Sequence, residues 1–469
     1  MSNERVASLR AKRSNLRVFR LLQSLTFPRN DIKIRFLSIV LVAGFCSISA
    51  LIWSAEPPIL TLDDCVKAAL ANNPKLRQTA SKVDVDKAKI GIAKSGYLPQ
   101  ASTTGGYNHY DYSKIAYESL SIAGPDKRYN VLSENTGASQ LIWDFGQTLN
   151  RVKAAKETLS AAQYEFLETQ ENTILNAEKA YFNVMRAQLL LKAAKDKLET
   201  KKTHLARAEG FYEVGYQQPY DVTKAELAVA NANLELVTAN KDLELAKVSL
   251  NNIMGNSGGT GYSVVEISEF QTAEINIEDA LKAATENRVE LYRLQAQARS
   301  AQADLEAKKK GNWPTVSLTG NHKVSDTDTP GVGNVRNWNA GAQVSWPWFD
   351  GFKTKSEIEA AQASLKMVQL GIEDEALAIA LEVQNAALAL GEAKERINAA
   401  LKLLQESGEN LMISKARYEE GLGSIIEVTD AETNEVSAKQ AHASAIADYL
   451  SAYADYQKSI GVISQGIIK

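Results

Sequence analysis

The sequence predicts a mainly α-helical protein with a smaller strand portion, built twice over on one chain, and three observations carry that reading. The first is a repeated turn. Arg417 to Glu432 reads RYEEGLGSIIEVTDAE, and 206 positions earlier Phe211 to Glu226 reads FYEVGYQQPYDVTKAE, with Tyr, Glu, Gly, Val, Thr, Ala and Glu in register. The second is a repeated opening, LDDCVKAALANNPKL from Leu62 and IEDALKAATENRVEL from Ile277, aligned at an offset of 215 that also carries Pro99 onto Pro314. The third is a stretch, Gly146 to Glu209, with no proline and with glycine only at its first position. At about 1.5 Å per residue it would extend about 95 Å, which no compact domain can hold.

Composition narrows the class. The chain of 469 residues has no Pro/Gly/Ser-rich linker, so one repetitive body is expected, with repeats over 56–259 and 260–469. Residues 1–55 hold nine basic and two acidic side chains, which leaves 44 basic and 54 acidic for the rest. That negative body argues against nucleic acid as a partner. The basic start runs into an apolar stretch, Phe36 to Trp53, followed by Ser54-Ala55, and reads as a secretory signal peptide over 1–55; an uncleaved anchor is the other reading. Cys46 lies inside it, and Cys65 stands alone in the remainder, so no disulfide framework is expected. His109, His204, His322 and His442 are scattered singly, which speaks against a metal site. No nucleophile and base pair, phosphate loop or ligand spacing points to an enzyme or a cofactor.

Taken in order, each repeat opens with a short helix bearing acidic residues in its first turn, the first one stopped by Pro74. After Pro99 and Pro314 the texture changes to Ser, Thr, Gly, Tyr and Val, so two strand pairs, four strands in all, are expected. In the second pair Ala340, Ala342, Val344 and Trp346 alternate with Asn339, Gly341, Gln343 and Ser345, the pattern of a strand between lipid and water or of an edge hairpin on a soluble sheet. In the first pair the outgoing strand starts near Gln100 and runs through Tyr107 and Tyr112, and the return strand covers Thr136 to Trp143. Trp143, Trp313, Trp346 and Trp348 fall at the helix-side ends, as an aromatic girdle or as core aromatics. Ser113 to Asn135 and Ser325 to Asn337, with Gly124-Pro125 and Pro330-Gly331, read as exposed tips. WDFG at Trp143 to Gly146 and FDGF at Phe349 to Phe352 supply an Asp to cap and a Gly to redirect each long helix. Leu167, Ile174 and Tyr181, then Leu191, Leu198, Leu205 and Tyr212, repeat every seven residues, the mark of left-handed coiled packing. Phe352 to Lys415 repeats the long run, interrupted at Gly371, Gly391 and Gly408, and the chain returns through Val222 to Ile253 and Val428 to Ile460. Two coiled hairpins on four strands follow. Four strands cannot close a barrel, and an open edge has no hydrogen-bond partner in hydrocarbon, so copies must share one.

The duplicated openings, the two proline switches, WDFG and FDGF, and the two turns together make the chain resemble the TolC family of bacterial outer-membrane efflux and type I secretion channels. The resemblance covers essentially all of the chain after the signal peptide. It implies a homotrimer in the Gram-negative outer membrane, with a 12-stranded β-barrel on a 12-helix periplasmic α-barrel. It further implies an inner-membrane transporter and a periplasmic adaptor as partners, outer-membrane lipid around the barrel, and no catalysis. By the same resemblance Glu427 and Asp430 ring the periplasmic constriction; acids in a first turn also complement a helix dipole. Asp221 and Tyr418 match positions that tie the hairpins shut, while an arginine expected there is replaced by Gly423, leaving Lys224 as another partner. The turns Val214 to Pro219 and Glu420 to Ser424, with Gly215, Tyr216, Gln217, Gly421, Leu422 and Gly423, are expected to dock the adaptor, or simply to connect helices. A periplasmic coiled-coil adaptor or envelope scaffold is the competing reading, and the strand pairs argue against it.

Overall fold

The computed structural model describes residues 58–111, 128–215, 218–267, 275–328 and 333–463. The expected signal peptide with Cys46, Tyr112, Tyr216, Gln217, Gly124-Pro125 and Pro330-Gly331 lie outside the described residues. The element order is β1 (Ile59–Leu60), α1 (Leu62–Asn72), α2 (Pro74–Ser95), β2 (Gln100–Asp111), β3 (Arg128–Trp143), α3 (Gln147–Glu213), α4 (Pro219–Ile253) and β4 (Ser263–Val264). The second half follows as α5 (Ile277–Asn287), α6 (Val289–Lys308), β5 (Thr315–Thr327), β6 (Val335–Ser345), α7 (Lys353–Glu419) and α8 (Ile425–Ser459). α3 and α7 are each 67 residues long, about 100 Å of helix, and α4 and α8 are each 35.

The boundaries follow from local chemistry. Thr61 opens α1 by a capping box with Asp64, whose carboxylate accepts from Thr61 N at 3.1 Å while Thr61 Oγ1 accepts from Asp64 N at 3.2 Å. Pro74, expected as a stop, instead starts α2 at its first position, where a missing N–H costs nothing. Asp144 accepts from Thr148 N at 2.6 Å and Asp350 from Thr354 N at 2.9 Å, so each strand exit is capped as expected, although Gly146 lies just outside α3. Gly371, Gly391 and Gly408 do not interrupt α7: each costs about 1 kcal/mol of helix propensity, too little to break so long a packed helix.

Each long helix is paired along its length by two shorter ones laid end to end. α3 packs on α2 and α6 toward the strands and on α4 and α8 toward the turns, and α7 packs on α6 and on α8 in the same way. The joints are duplicated. The Asn73 amide donates to Ile253 O at 3.2 Å where α4 ends and α2 begins, and the Arg288 guanidinium donates to Ser459 O at 3.2 Å where α8 ends and α6 begins. Gly255 and Gly461, both at positive φ, press on Asn72 and Asn287 so closely that a Cβ would stand 2.6 and 2.8 Å from them. The core gathers around these joints, with Tyr181, Val184, Met185, Leu250, Val383, Leu390 and Tyr449 fully buried. Tyr181 Oη donates to Val265 O at 2.8 Å, beside the parallel pair β1 and β4. Cys65 is buried in the same core, which pushes its thiol up to about 11, with Asp64 adding to the shift. Along the expected seam Ile174, Tyr181, Leu191 and Leu198 are buried; Leu167 and Tyr212, nearer the helix ends, are exposed.

The strands form one antiparallel sheet in the order β2-β3-β5-β6, so the two expected pairs are joined through β3 and β5. β3 starts at Arg128, eight residues before the expected Thr136, and β5 and β6 extend to Thr327 and from Val335, so the connecting tips are shorter than expected. The polar residues of 128–135 concealed that strand, since pairing with β2 and β5 needs no apolar core behind it.

Candidate channel wall and mouth

Cross-strand register decides which side chains share a face. Opposite one another stand Tyr107 and Leu132, Val316 and Val344, Leu318 and Ala342, and His322 and Trp338, which makes one face predominantly apolar toward the helix side. The alternate set, Ser102 and Gly137, Thr319 and Gly341, Asn321 and Asn339, Ser317 and Gln343, makes the other face polar. Both faces are open. No second layer covers the sheet among the described residues, all of β6 is exposed, and β2 and β6 leave their outer edges unpaired. Trp143, Trp313, Trp346 and Trp348 all sit at the helix-side end and are exposed. Phe145 packs on Trp313 at 4.9 Å and on Trp143 at 5.9 Å, and Trp346 Nε1 donates to Asn312 O at 3.2 Å.

The opposite end carries the two repeated turns. α7 ends in a Schellman motif: Leu422 N donates to Arg417 O at 2.8 Å and Gly421 N to Tyr418 O at 3.0 Å, with Gly421 at φ 73°. Gly215, φ 77°, repeats the inner bond to Tyr212 O at 3.0 Å. Asp221 and Glu427 occupy the same third position of their return helices. Asp221 closes a capping box with Gln218, and Glu427 N donates to Ser424 Oγ at 3.2 Å. The Glu427 carboxylate lies 3.7 Å from the Arg417 guanidinium, and a Cβ at Gly423 would come within 3.2 Å of it. The arginine missing at 423 is thus answered from six residues earlier, inside the same chain. Both partners are half exposed, so the pair adds about 0–1 kcal/mol. Asp430 and Lys224 are exposed, and no hydrogen bond joins Asp221 to Tyr418 among the described residues.

Just inside this turn end lies a cluster that the repeats do not announce. Glu432, on α8, is buried and meets Lys201 at 3.2 Å and His204 at 2.9 Å, both on α3, with Lys415 of α7 at 3.9 Å. It ties one hairpin to the other. Burial pushes the Glu432 carboxyl up, but the hydrogen bonds and charges of His204 and Lys201 outweigh it and hold the group below the ordinary glutamate value. A carboxyl depressed by folding contributes stability above its unfolded value, and that contribution is lost as pH falls through the folded one. Glu432→Gln is therefore expected to cost about 2 kcal/mol at neutral pH, and its Tm difference from the parent should vanish in strong acid.

The outer membrane efflux protein profile matches residues 65–256 and 280–462. The chain belongs to this family. Outer membrane efflux proteins are channels and not enzymes, and this one resides in the outer membrane. It is 24% identical over 408 residues to protein CyaE of Bordetella pertussis, covering 84% of this chain and 83% of that one. It is 25% identical over 438 residues to outer membrane protein TolC of Escherichia coli, covering 90% and 85%. The CmeC outer membrane channel of Campylobacter jejuni shares the fold with a TM-score of 0.74 at 20% identity, over 87% of this chain and 88% of that one. The adaptor alternative falls with the family match.

Proposed function

We infer that three copies of this chain close a twelve-stranded barrel on a helical tunnel, forming the exit duct through which an inner-membrane transporter and a periplasmic adaptor discharge efflux or type I secretion substrates. The sheet carries this reading. A sheet with one polar face and one that is apolar over its helix-side half, uncovered on both and open at both edges, has no stable place in water, and in hydrocarbon its edges need partners. β6 runs toward the helices and β2 away from them, so β6 of one copy beside β2 of the next continues the antiparallel order. The outer helices also leave apolar side chains uncovered between joint and turn: α4 exposes Leu227, Leu234 and Val248 at heptad spacing, and α7 exposes Leu388, Leu401 and Met412. Such head-to-tail contacts close into a ring.

In this ring 56–259 and 260–469 act as two repeats of one wall, and the four tryptophans mark the membrane interface. Glu427 and Asp430 of three copies line the periplasmic constriction and favour cations, with Asp221 and Tyr418 meeting across hairpins of the closed gate. The turns around Gly215 and around Gly421, Leu422 and Gly423 offer the adaptor its contact. Reconstitution into planar bilayers tests the duct. Discrete ionic current steps are expected, and a protein that stays in water without detergent and never conducts would overturn it.

A further inference from the structure

The rim where helices meet strands carries a charge opposite to that of the body. Residues 94–99, 144–153, 306–314 and 346–359 hold eight Lys or Arg against five Asp or Glu, and two of those five, Asp144 and Asp350, are engaged as helix caps. Lys310 stands 4.3 Å from the centroid of the Trp313 ring, and Glu306, the carboxylate whose charge acts on it, is bonded to Lys309 at 2.7 Å. Trp313 leads through Phe145 to Trp143, which pairs with Val316 on the apolar face, so this ammonium sits at the edge of the lipid-patterned surface.

A close approach gathers further charge there. A Cβ at Gly311 would stand 3.0 Å from Thr354, which places Lys310 next to the start of α7, where Lys353 and Lys355 flank Thr354. Their side chains are 75% and 71% exposed, and their nearest carboxylates, Glu357 and Glu359, lie 3.9 Å away. The first repeat copies the contact, Gly96 against Thr148 at 3.2 Å, beside exposed Lys94 and Arg151. Cations in the first turn of α7 oppose its dipole, and the one carboxylate at that end, the Asp350 cap, is already bonded to Thr354 N and Oγ1 and leaves Lys353 and Lys355 uncompensated. An external anion would offset them.

Resting on the membrane reading above, we propose that this rim binds the phosphate headgroups of anionic phospholipids in the leaflet that faces the helices. The Lys310 ammonium over the exposed Trp313 indole presents charge at headgroup depth, while the ring sits against the acyl boundary. Lys310, Lys353 and Lys355 supply the contacts in the second repeat.

The test uses the tryptophan fluorescence of the purified assembled protein in neutral detergent, titrated with brominated phosphatidylglycerol or brominated phosphatidylcholine. Expected is half-maximal quenching by phosphatidylglycerol at roughly tenfold lower mole fraction, and loss of most of that preference in Lys310→Gln/Lys353→Gln/Lys355→Gln, about twofold for each charge removed. Equal quenching by both lipids, an unchanged preference in the triple variant, or displacement of the brominated lipid by equimolar inorganic phosphate would overturn the lipid assignment. Quenching by neither lipid would instead remove the membrane reading, and the rim's role with it.

Discussion

Replacing Arg288 with methionine is expected to lower protein stability by about 3–5 kcal/mol, because it strips the buried Glu290 carboxylate of both guanidinium hydrogen bonds and leaves it only the more distant Lys458. Arg288 is almost wholly buried at the joint between α8 and α6. Its guanidinium holds both oxygens of Glu290 at 2.9 Å, reaches Glu382 on α7 at 2.8 Å and caps Ser459 O. Lys458 closes the set at 3.0 Å from Glu382 and 3.6 Å from Glu290. Burial would push the Glu382 carboxyl up, yet the hydrogen bonds and charges of Arg288 and Lys458 hold it below its ordinary value. The measurement is the denaturant midpoint by far-UV circular dichroism in detergent. Arg288→Met combined with Glu290→Gln should recover more than half of the loss, since removing both charges spares the uncompensated one. A double variant no better than the single would assign the loss to the Ser459 cap instead.

Glu427→Ala with Asp430→Ala is expected to raise single-channel conductance and to weaken block by trivalent cations about tenfold or more. Opposite unit charges 4 Å apart attract by about 1 kcal/mol even in water, and a trivalent ion in a narrow ring meets several carboxylates at once. Because Arg417 lies beside Glu427, the two acids should not contribute equally. Asp430→Ala alone should carry most of the change, and Arg417→Ala should strengthen block by freeing Glu427. Unchanged conductance and block in the double variant would remove both acids from the constriction.

Features set by neighbours in sequence are legible in the chain itself. The proline-free runs form 67-residue helices, Asp144 and Asp350 cap them, and the alternation of Ala340, Ala342 and Val344 with Asn339, Gly341 and Gln343 places two chemistries on two faces. Features that depend on partners far along the chain are not. The early start of β3 is hidden because Asn130, Ser133 and Asn135 pair across strands without needing an apolar face. Glu432 meets side chains 228 and 231 residues away, and its pattern resembles any solvated helix. One trace of the Arg288 joint is visible: the 215-residue offset sets Arg288 opposite Asn73, a cation where the first repeat has an amide, and both side chains cap a helix end. The Arg417 and Glu427 pair is invisible to a comparison of registers, which looks for the missing arginine at 423, whereas the Schellman turn brings position 417 back to the same place.

The sharing of the open sheet edges between copies is tested most directly by disulfide trapping across them. Gln100, at the start of β2, and Ser345 or Gln343, at the end of β6, lie on the polar face at the helix-side end of the two unpaired edges. Gln100→Cys paired in turn with Ser345→Cys and Gln343→Cys, in a Cys65→Ser background, should yield on oxidation a ladder that ends at three copies, with no band beyond. Monomer alone in both pairings, from protein extracted out of the outer membrane, would contradict a wall built from several chains.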